Sequence, residues 1–408
     1  MSGNGYEIKY KSNATWISPS DKEPVTDYAY SFAVVGDTQK VNIKHPENFD
    51  VIYDWILDNV ESKKMKFVFG LGDITDESSP DEWARAKESI HSMDGKVDYS
   101  IVRGNHDTVI GFNSTFPWSD YKDTFEGGKL GATMLNTWRT LTLGDHKYLL
   151  ITLDFGPSDA ILDWASELCE EYPDHKVIIT THAYLYSNGT PIDADDHCAM
   201  KDNGGYNNGD DMWDKLISKH ENILLVISGH EACDRIVVAQ NEGENGNVVT
   251  QMLVNPQLLD LNATGGLGLV AMLYFSEDGR NVTVEYYSTI KNKFYRDINQ
   301  FSFSLYPNDE APETSTQETT AEVTTTETST AEVTTEVITL SEVTTAEVTT
   351  EVVTSDEVTS EEEIVSSEVV DSDNTEKSGC GSSISLQASA IIIVILGAAL
   401  TVTRKKYD

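Results

Sequence analysis

The sequence predicts an α/β domain of layered sheets and helices, followed by a low-complexity stretch and one apolar segment near the C-terminus. Three observations carry this. Apolar, β-branched runs of strand length alternate with helical periodicities over residues 30–303. Over residues 307–376 there is no lysine or arginine, and Thr, Glu, Val and Ser dominate. Residues 386–402 hold no charged side chain.

The elements follow in order. Residues 30–35 read as a first strand ending at Gly36. Phe49, Ile52, Tyr53, Ile56, Leu57 and Val60 then recur at the spacing of one helix face. Residues 66–71 read as a second strand. Ser79-Pro80-Asp81-Glu82 supplies an N-cap, a proline for the first helical position and a capping-box glutamate, and Trp83, Ala86, Ile90 and Met93 continue that helix. Residues 97–102 form a third strand; 147–152, 176–181 and 223–228 are further strands, with helices over 161–170 and 212–220. After His230 the helical periodicity stops. Residues 235–239, 248–254, 267–275 and 282–287 look like an antiparallel finish that closes a second sheet. The expected organisation is a lead-in over 1–28, the domain over 29–305, a disordered stalk over 306–383, a transmembrane helix over 384–403 and a basic tail over 404–408.

Charge and composition limit the function. The net charge is −39, and about twenty of the acidic residues lie in the stretch without basic ones. The remainder is still acidic, which argues against binding nucleic acid through its phosphates, and no protein partner is indicated. Loose repeats of Thr-Thr-Ala-Glu-Val-Thr-Thr cannot bury enough surface to offset chain entropy, so the stretch reads as a coil spanning on the order of 45 Å. Seventeen uncharged residues at about 1.5 Å each give roughly 25 Å, enough to cross a bilayer with small adjustments. Arg404-Lys405-Lys406 favours a cytoplasmic C-terminus with the domain displayed outside the cell, membrane-bound through that helix. Residues 1–16 contain no apolar leader. The expectation is therefore that the true N-terminus is absent from this chain, the alternative being a tail-anchored, cytosol-facing protein. Cys169, Cys198, Cys233 and Cys380 show no metal or disulfide spacing.

Chemistry-bearing residues recur just past the carboxyl end of an apolar strand. They are Gly36-Asp37-Thr38-Gln39, Gly70-Leu71-Gly72-Asp73, Arg103-Gly104-Asn105-His106-Asp107, Thr180-Thr181-His182 and Ser228-Gly229-His230. Loops at the carboxyl ends of neighbouring strands converge in one crevice. The donors are oxygen and nitrogen without thiolate, a set suited to Mn, Fe or Zn.

In order and spacing these blocks resemble the calcineurin-like metallophosphoesterase family, over residues 30–287. The resemblance implies a four-layer sandwich of two β-sheets flanked by helices. It also implies hydrolysis of a phosphate mono- or diester by a metal-activated hydroxide. It places Asp73 between two metal ions, Asp37 on the first, and Asn105, His182 and His230 on the second. It makes His106 the general acid, with Asp107 orienting and charging its imidazole. Two departures thin the first metal seat. The first block ends in Gln39 where the family usually has histidine, and the last has Ala232 in place of a second histidine. Gln39 can offer a carbonyl oxygen, and Glu231 or Asp234 stays open as a substitute for the other. One metal ion is thus expected to bind tightly and a second weakly. A surface binding or adhesion module that kept the fold and lost catalysis is the alternative. Arg103 reads as either a phosphate clamp or a structural ion pair. Tyr184, Tyr186 and the loop over 204–208 read as a substrate wall or as plain surface.

Overall fold

Period-two alternation along single strands sets the layering. Tyr30, Phe32 and Val34 enter one core while Ala33 and Val35 enter the opposite one; Phe67 and Phe69 divide likewise from Val68. A strand apolar on both faces must be covered on both, which forces a sheet between two layers. The structure, a computed structural model, describes residues 16–122, 125–196 and 206–308. The expected stalk beyond residue 308, the transmembrane helix and the basic tail lie outside the described residues. Among the described residues, no helix is long and apolar enough to cross a membrane.

In chain order the strands are β1 (Trp16–Ile17), β2 (Tyr30–Val35), β3 (Met65–Gly70), β4 (Asp98–Ile101), β5 (Gly127–Lys129), β6 (Thr137–Leu143), β7 (His146–Thr152), β8 (Lys176–Thr180), β9 (Ile223–Ser228), β10 (Val237–Glu242), β11 (Val248–Leu253), β12 (Leu269–Phe275), β13 (Asn281–Ser288), β14 (Lys293–Tyr295) and β15 (Phe301–Ser304). The α-helices are α1 (Gln39–Lys44), α2 (Phe49–Asn59), α3 (Pro80–His91), α4 (Val109–Thr115), α5 (Trp118–Tyr121), α6 (Asp159–Glu171) and α7 (Gly209–Lys215). One sheet runs β1-β14-β13-β12-β2-β3-β4, with β15 also on β13; the other runs β10-β11-β9-β8-β7-β6-β5.

Between the sheets lies an aromatic core in which Tyr30, Phe32, Phe67, Phe69, Tyr148 and Phe275 meet Leu150, Leu225 and Met252. The outer face of the first sheet is covered by α2 and α3 through Ile52, Ile56, Trp83 and Ile90. That of the second is covered by α6 and α7 through Leu162, Leu168 and Met212. Two mixed sheets flanked by helices are thus observed, as the family resemblance implies. The Ser79 signal is realised: its side chain caps α3 and Glu82 bonds back to the Ser79 amide.

Two expectations need correction. The segments after His230 do not close one antiparallel sheet. β10 and β11 extend the second sheet, with β11 parallel to β9, whereas β12 and β13 return to the first sheet beside β2. The lead-in is also partly built into the domain: Trp16 pairs with Tyr295, and Lys22 meets the buried Glu285 at 2.5 Å.

Candidate metal centre

Parallel pairing brings the polar strand ends to one edge. Val35 lies opposite Gly70, and Gly70 opposite Ile101, so Asp37, Asp73 and the 103–107 loop emerge side by side. In the second sheet Thr180 lies opposite Ile227, which puts His182 beside His230. Of the six expected metal ligands, Asp37, Asp73, Asn105, His182 and His230 lie together, and Gln39 adjoins Asp73. Asp37, Asp73 and His182 each offer a donor atom within 4.8 Å of the others. Asn105 Oδ1 is 3.0 Å from His182 Nε2 and 3.0 Å from His230 Nδ1. His182 Nε2 is 3.4 Å from Asp73 Oδ1. His182 Nδ1 donates to the Leu71 carbonyl at 2.8 Å, which fixes Nε2 as the nitrogen facing the cluster.

The backbone is bent to achieve this. Asp73 (φ 46°) and His230 (φ 71°) both occupy the left-handed region, at a cost on the order of 1–3 kcal/mol for a non-glycine residue. Gly104 and Gly229 are there for space: a Cβ on Gly104 would stand 2.2 Å from Asp73 Oδ1, and one on Gly229 would stand 2.1 Å from Asp37 Oδ1. Gln39 Nε2 donates to Asp73 Oδ2 at 2.9 Å. Its other amide atom, Oε1, is buried with no hydrogen-bond partner among the described residues.

Burial penalises the charges gathered here. Asp37 is pushed well above the ordinary carboxylate range by burial, partly offset by His182. Burial also opposes the Asp73 carboxylate, but His182 beside it outweighs this and holds Asp73 below its usual range. For His182, burial opposes a charge, yet Asp73 and Asp37 prevail and push its pKa up to about 9. A cluster that draws positive charge onto a buried imidazole favours a cation. That field, the thiolate-free donor set and the buried Gln39 Oε1 fit a divalent metal ion.

Asp107 does something other than expected. Its carboxylate accepts from the backbone N–H of Ile74 (3.1 Å), Thr75 (2.9 Å) and Gly104 (3.0 Å) and from Thr75 Oγ1 (2.8 Å), tying the loop after β3 to the loop after β4. Burial, then Asp73, pushes its pKa up to about 6. Asp76 is the residue that orients His106: its carbonyl accepts from Nδ1 at 2.8 Å and its carboxylate lies 3.5 Å away. A carboxylate next to a histidine in sequence points elsewhere when three unpaired amides compete for it.

Arg103 is an ion-pair residue, 2.8 Å from Asp154, and its guanidinium also donates to the carbonyls of Gly104 and Asp107. Asp234 pairs with Arg296 and is thereby drawn away from the first seat. Glu231 instead gathers with His230 and Asp196. The buried Asp196 Oδ2 is 3.7 Å from His230 Nε2, behind the nitrogen that faces the cluster. Tyr184 is core, donating to Gln251 at 2.7 Å. Tyr186 donates to Asp193, and Asn208 caps α7; residues 204 and 205 lie outside the described residues.

Besides Asp76 and Asp196, two further site residues were not read from the sequence. Asn255 Nδ2 donates to Asp37 Oδ2 at 2.7 Å and to the His230 carbonyl at 2.9 Å; Gln257 Nε2 reaches both at 3.4 Å. They follow β11, and only its parallel register with β9 brings its carboxyl end to the metal centre.

A curated relative, the uncharacterized protein YvnB of Bacillus subtilis (strain 168), is 25% identical over 304 residues, covering 70% of this chain and 22% of that protein. The probable glycerophosphodiester phosphodiesterase GpdQ of Arcobacter nitrofigilis is 25% identical over 189 residues, 44% of this chain and 61% of that one. The chain thus spans under two thirds of the length of both. Among solved structures, a dimetal phosphatase from Danio rerio matches at 13% identity and a TM-score of 0.42, covering 69% of this chain and 99% of that one. The family model for calcineurin-like phosphoesterases matches residues 30–234, half of the chain and every block of the metal centre. The protein belongs to the calcineurin-like phosphoesterase family.

Proposed function

We propose that this protein hydrolyses a phosphate ester with the help of bound divalent metal, and that the ester is a diester. The observation that carries the reaction is the convergence of Asp37, Asp73, Asn105, His182 and His230 on one point, with His106 on the adjoining loop. The diester is favoured by the relative described as a probable glycerophosphodiester phosphodiesterase. Asp73, Asn105, His182 and His230 would hold one metal ion; Asp37, Asp73 and Gln39 would hold a second. Bound metal supplies Lewis acidity toward phosphoryl oxygens and acidifies water.

The chain's own groups do the rest. The His106 amide donates to Asp73 Oδ1 at 2.9 Å, which fixes the carboxylate between the two sheets' loops. Because a carbonyl only accepts, the bond to Asp76 places a proton on His106 Nδ1. As the imidazolium, His106 would give its Nε2 proton to the oxygen of the departing alcohol and be left neutral, still protonated on Nδ1. The test is turnover of bis(p-nitrophenyl) phosphate with added Mn²⁺. Loss of turnover in Asp73→Ala supports the reading; equal rates in both proteins would sink it.

Asn255 and Gln257 favour a second reading. Their amides occupy Asp37 Oδ2, which an intact first seat would turn to metal. On that reading the chain is a binding or adhesion module, and no ester is turned over. Display on the cell surface through the stalk and the apolar segment is likewise a proposal, resting on composition alone. Protease shaving of intact cells checks it: an outward domain is released, an inward one is protected.

A further inference from the structure

Among the described residues most large apolar side chains are buried or partly buried, and four are exposed. Val109, Ile110, Tyr206 and Leu258 are exposed, Ile110 by 80%. Single exposed apolar residues need no explanation, but three of these stand on chain segments that carry the metal centre, and the fourth, Tyr206, is bonded to a segment beside it. Val109 and Ile110 follow His106-Asp107-Thr108 directly, and Thr108 N donates to Ser78 on the loop after Asp73 at 3.0 Å. Leu258 follows Gln257, which reaches Asp37. Tyr206 N donates to the Gly156 carbonyl at 3.2 Å. The neighbouring Phe155 ring lies 5.7 Å from His182 and 6.0 Å from His230.

Charge points the same way. Lys40 in the first turn of α1 and Arg103 on the loop after β4 are committed to Asp76 and Asp154 at 2.5 and 2.8 Å. A nucleotide or polyphosphate would bring several negative charges to a site whose two flanking basic side chains are already paired. A diester brings one.

We propose that the substrate is a singly charged phosphodiester of an alkyl or aryl alcohol, and that Ile110, Tyr206 and Leu258 hold its apolar group beside the metal centre. This rests on the phosphoesterase reading above. Binding can be measured without turnover: the full-length, Mn²⁺-loaded protein is titrated with ethyl, butyl and hexyl methylphosphonate, singly charged esters that mimic a diester. The dissociation constant is expected to fall at least about twofold per added methylene, against about fourfold for complete burial. In an Ile110→Ser, Leu258→Ser double variant that dependence should flatten, the hexyl ester losing more affinity than the ethyl ester. A constant that does not change with chain length, a dependence untouched by the double variant, tighter binding of adenosine monophosphate, or no binding at all would each overturn the proposal. Turnover of bis(p-nitrophenyl) phosphate by the same preparation tells whether the phosphoesterase reading falls with it.

Discussion

At the scale of single residues, the site separates groups that touch the reaction from groups that hold them. His106 is of the first kind. His106→Ala should slow alkyl diesters by about 10²- to 10⁴-fold and p-nitrophenyl diesters far less, because a good leaving group needs little protonation. Equal losses for both would mean that His106 positions Asp73 through its amide loop and donates no proton. Asn255 is of the second kind. Its amide satisfies Asp37 Oδ2, and positions 39 and 232, where the family usually has histidines, hold Gln and Ala, so the purified protein should retain about one metal ion per chain after dialysis. Ala232→His should move that figure toward two; metal analysis showing two in the wild type already would refute the idea. Aspartate was legible by position after β2, β3 and β4, but its partner was not. Asp107 and Asp76 are both near His106 in the folded chain, and which one turns to it depends on competing backbone amides that no spacing displays.

At the scale of elements, α3 shows how a local signal acquires a distant consequence. Ser79 caps the helix, and the same Glu82 that completes the capping box accepts from the Asp76 amide at 2.6 Å. Asp76 in turn holds His106. Ser79→Ala should therefore cost about 1 kcal/mol of stability and leave kcat unchanged. Glu82→Ala should lower both, since it frees the loop that orients the imidazole. Thermal melts and kcat measured on the same samples check this; a kcat unaffected in Glu82→Ala would show that the loop keeps its shape without it. Gly229 makes the complementary case. Gly229→Ala drives a Cβ against Asp37, so the variant should fold but bind Mn²⁺ more weakly, as read by calorimetry.

At the scale of the whole molecule, the first sheet is completed by residues far from its centre in sequence. β15 pairs with β13, Leu305 is buried, and Arg280 lies 4.9 Å from the Tyr306 ring centre. A chain cut after residue 308 should be soluble with unchanged specific activity, whereas a cut after residue 299 should lose β15 and melt several degrees lower. An aggregated or inactive longer fragment would mean that the later residues pack on the domain. The sequence by itself determined the layer type, the strands and helices with strong periodicity, the capped start of α3 and the strand-end blocks that carry the metal ligands. Those are local properties: period, cap chemistry and glycine beside a polar residue are written within a few positions. Only the tertiary structure decided that β11 runs parallel to β9, that Asn255 and Gln257 therefore complete Asp37, and that Asp196 stands behind His230. Strand direction within a sheet is set by which edges and faces remain to be covered after the other strands have paired, so it depends on the whole chain at once.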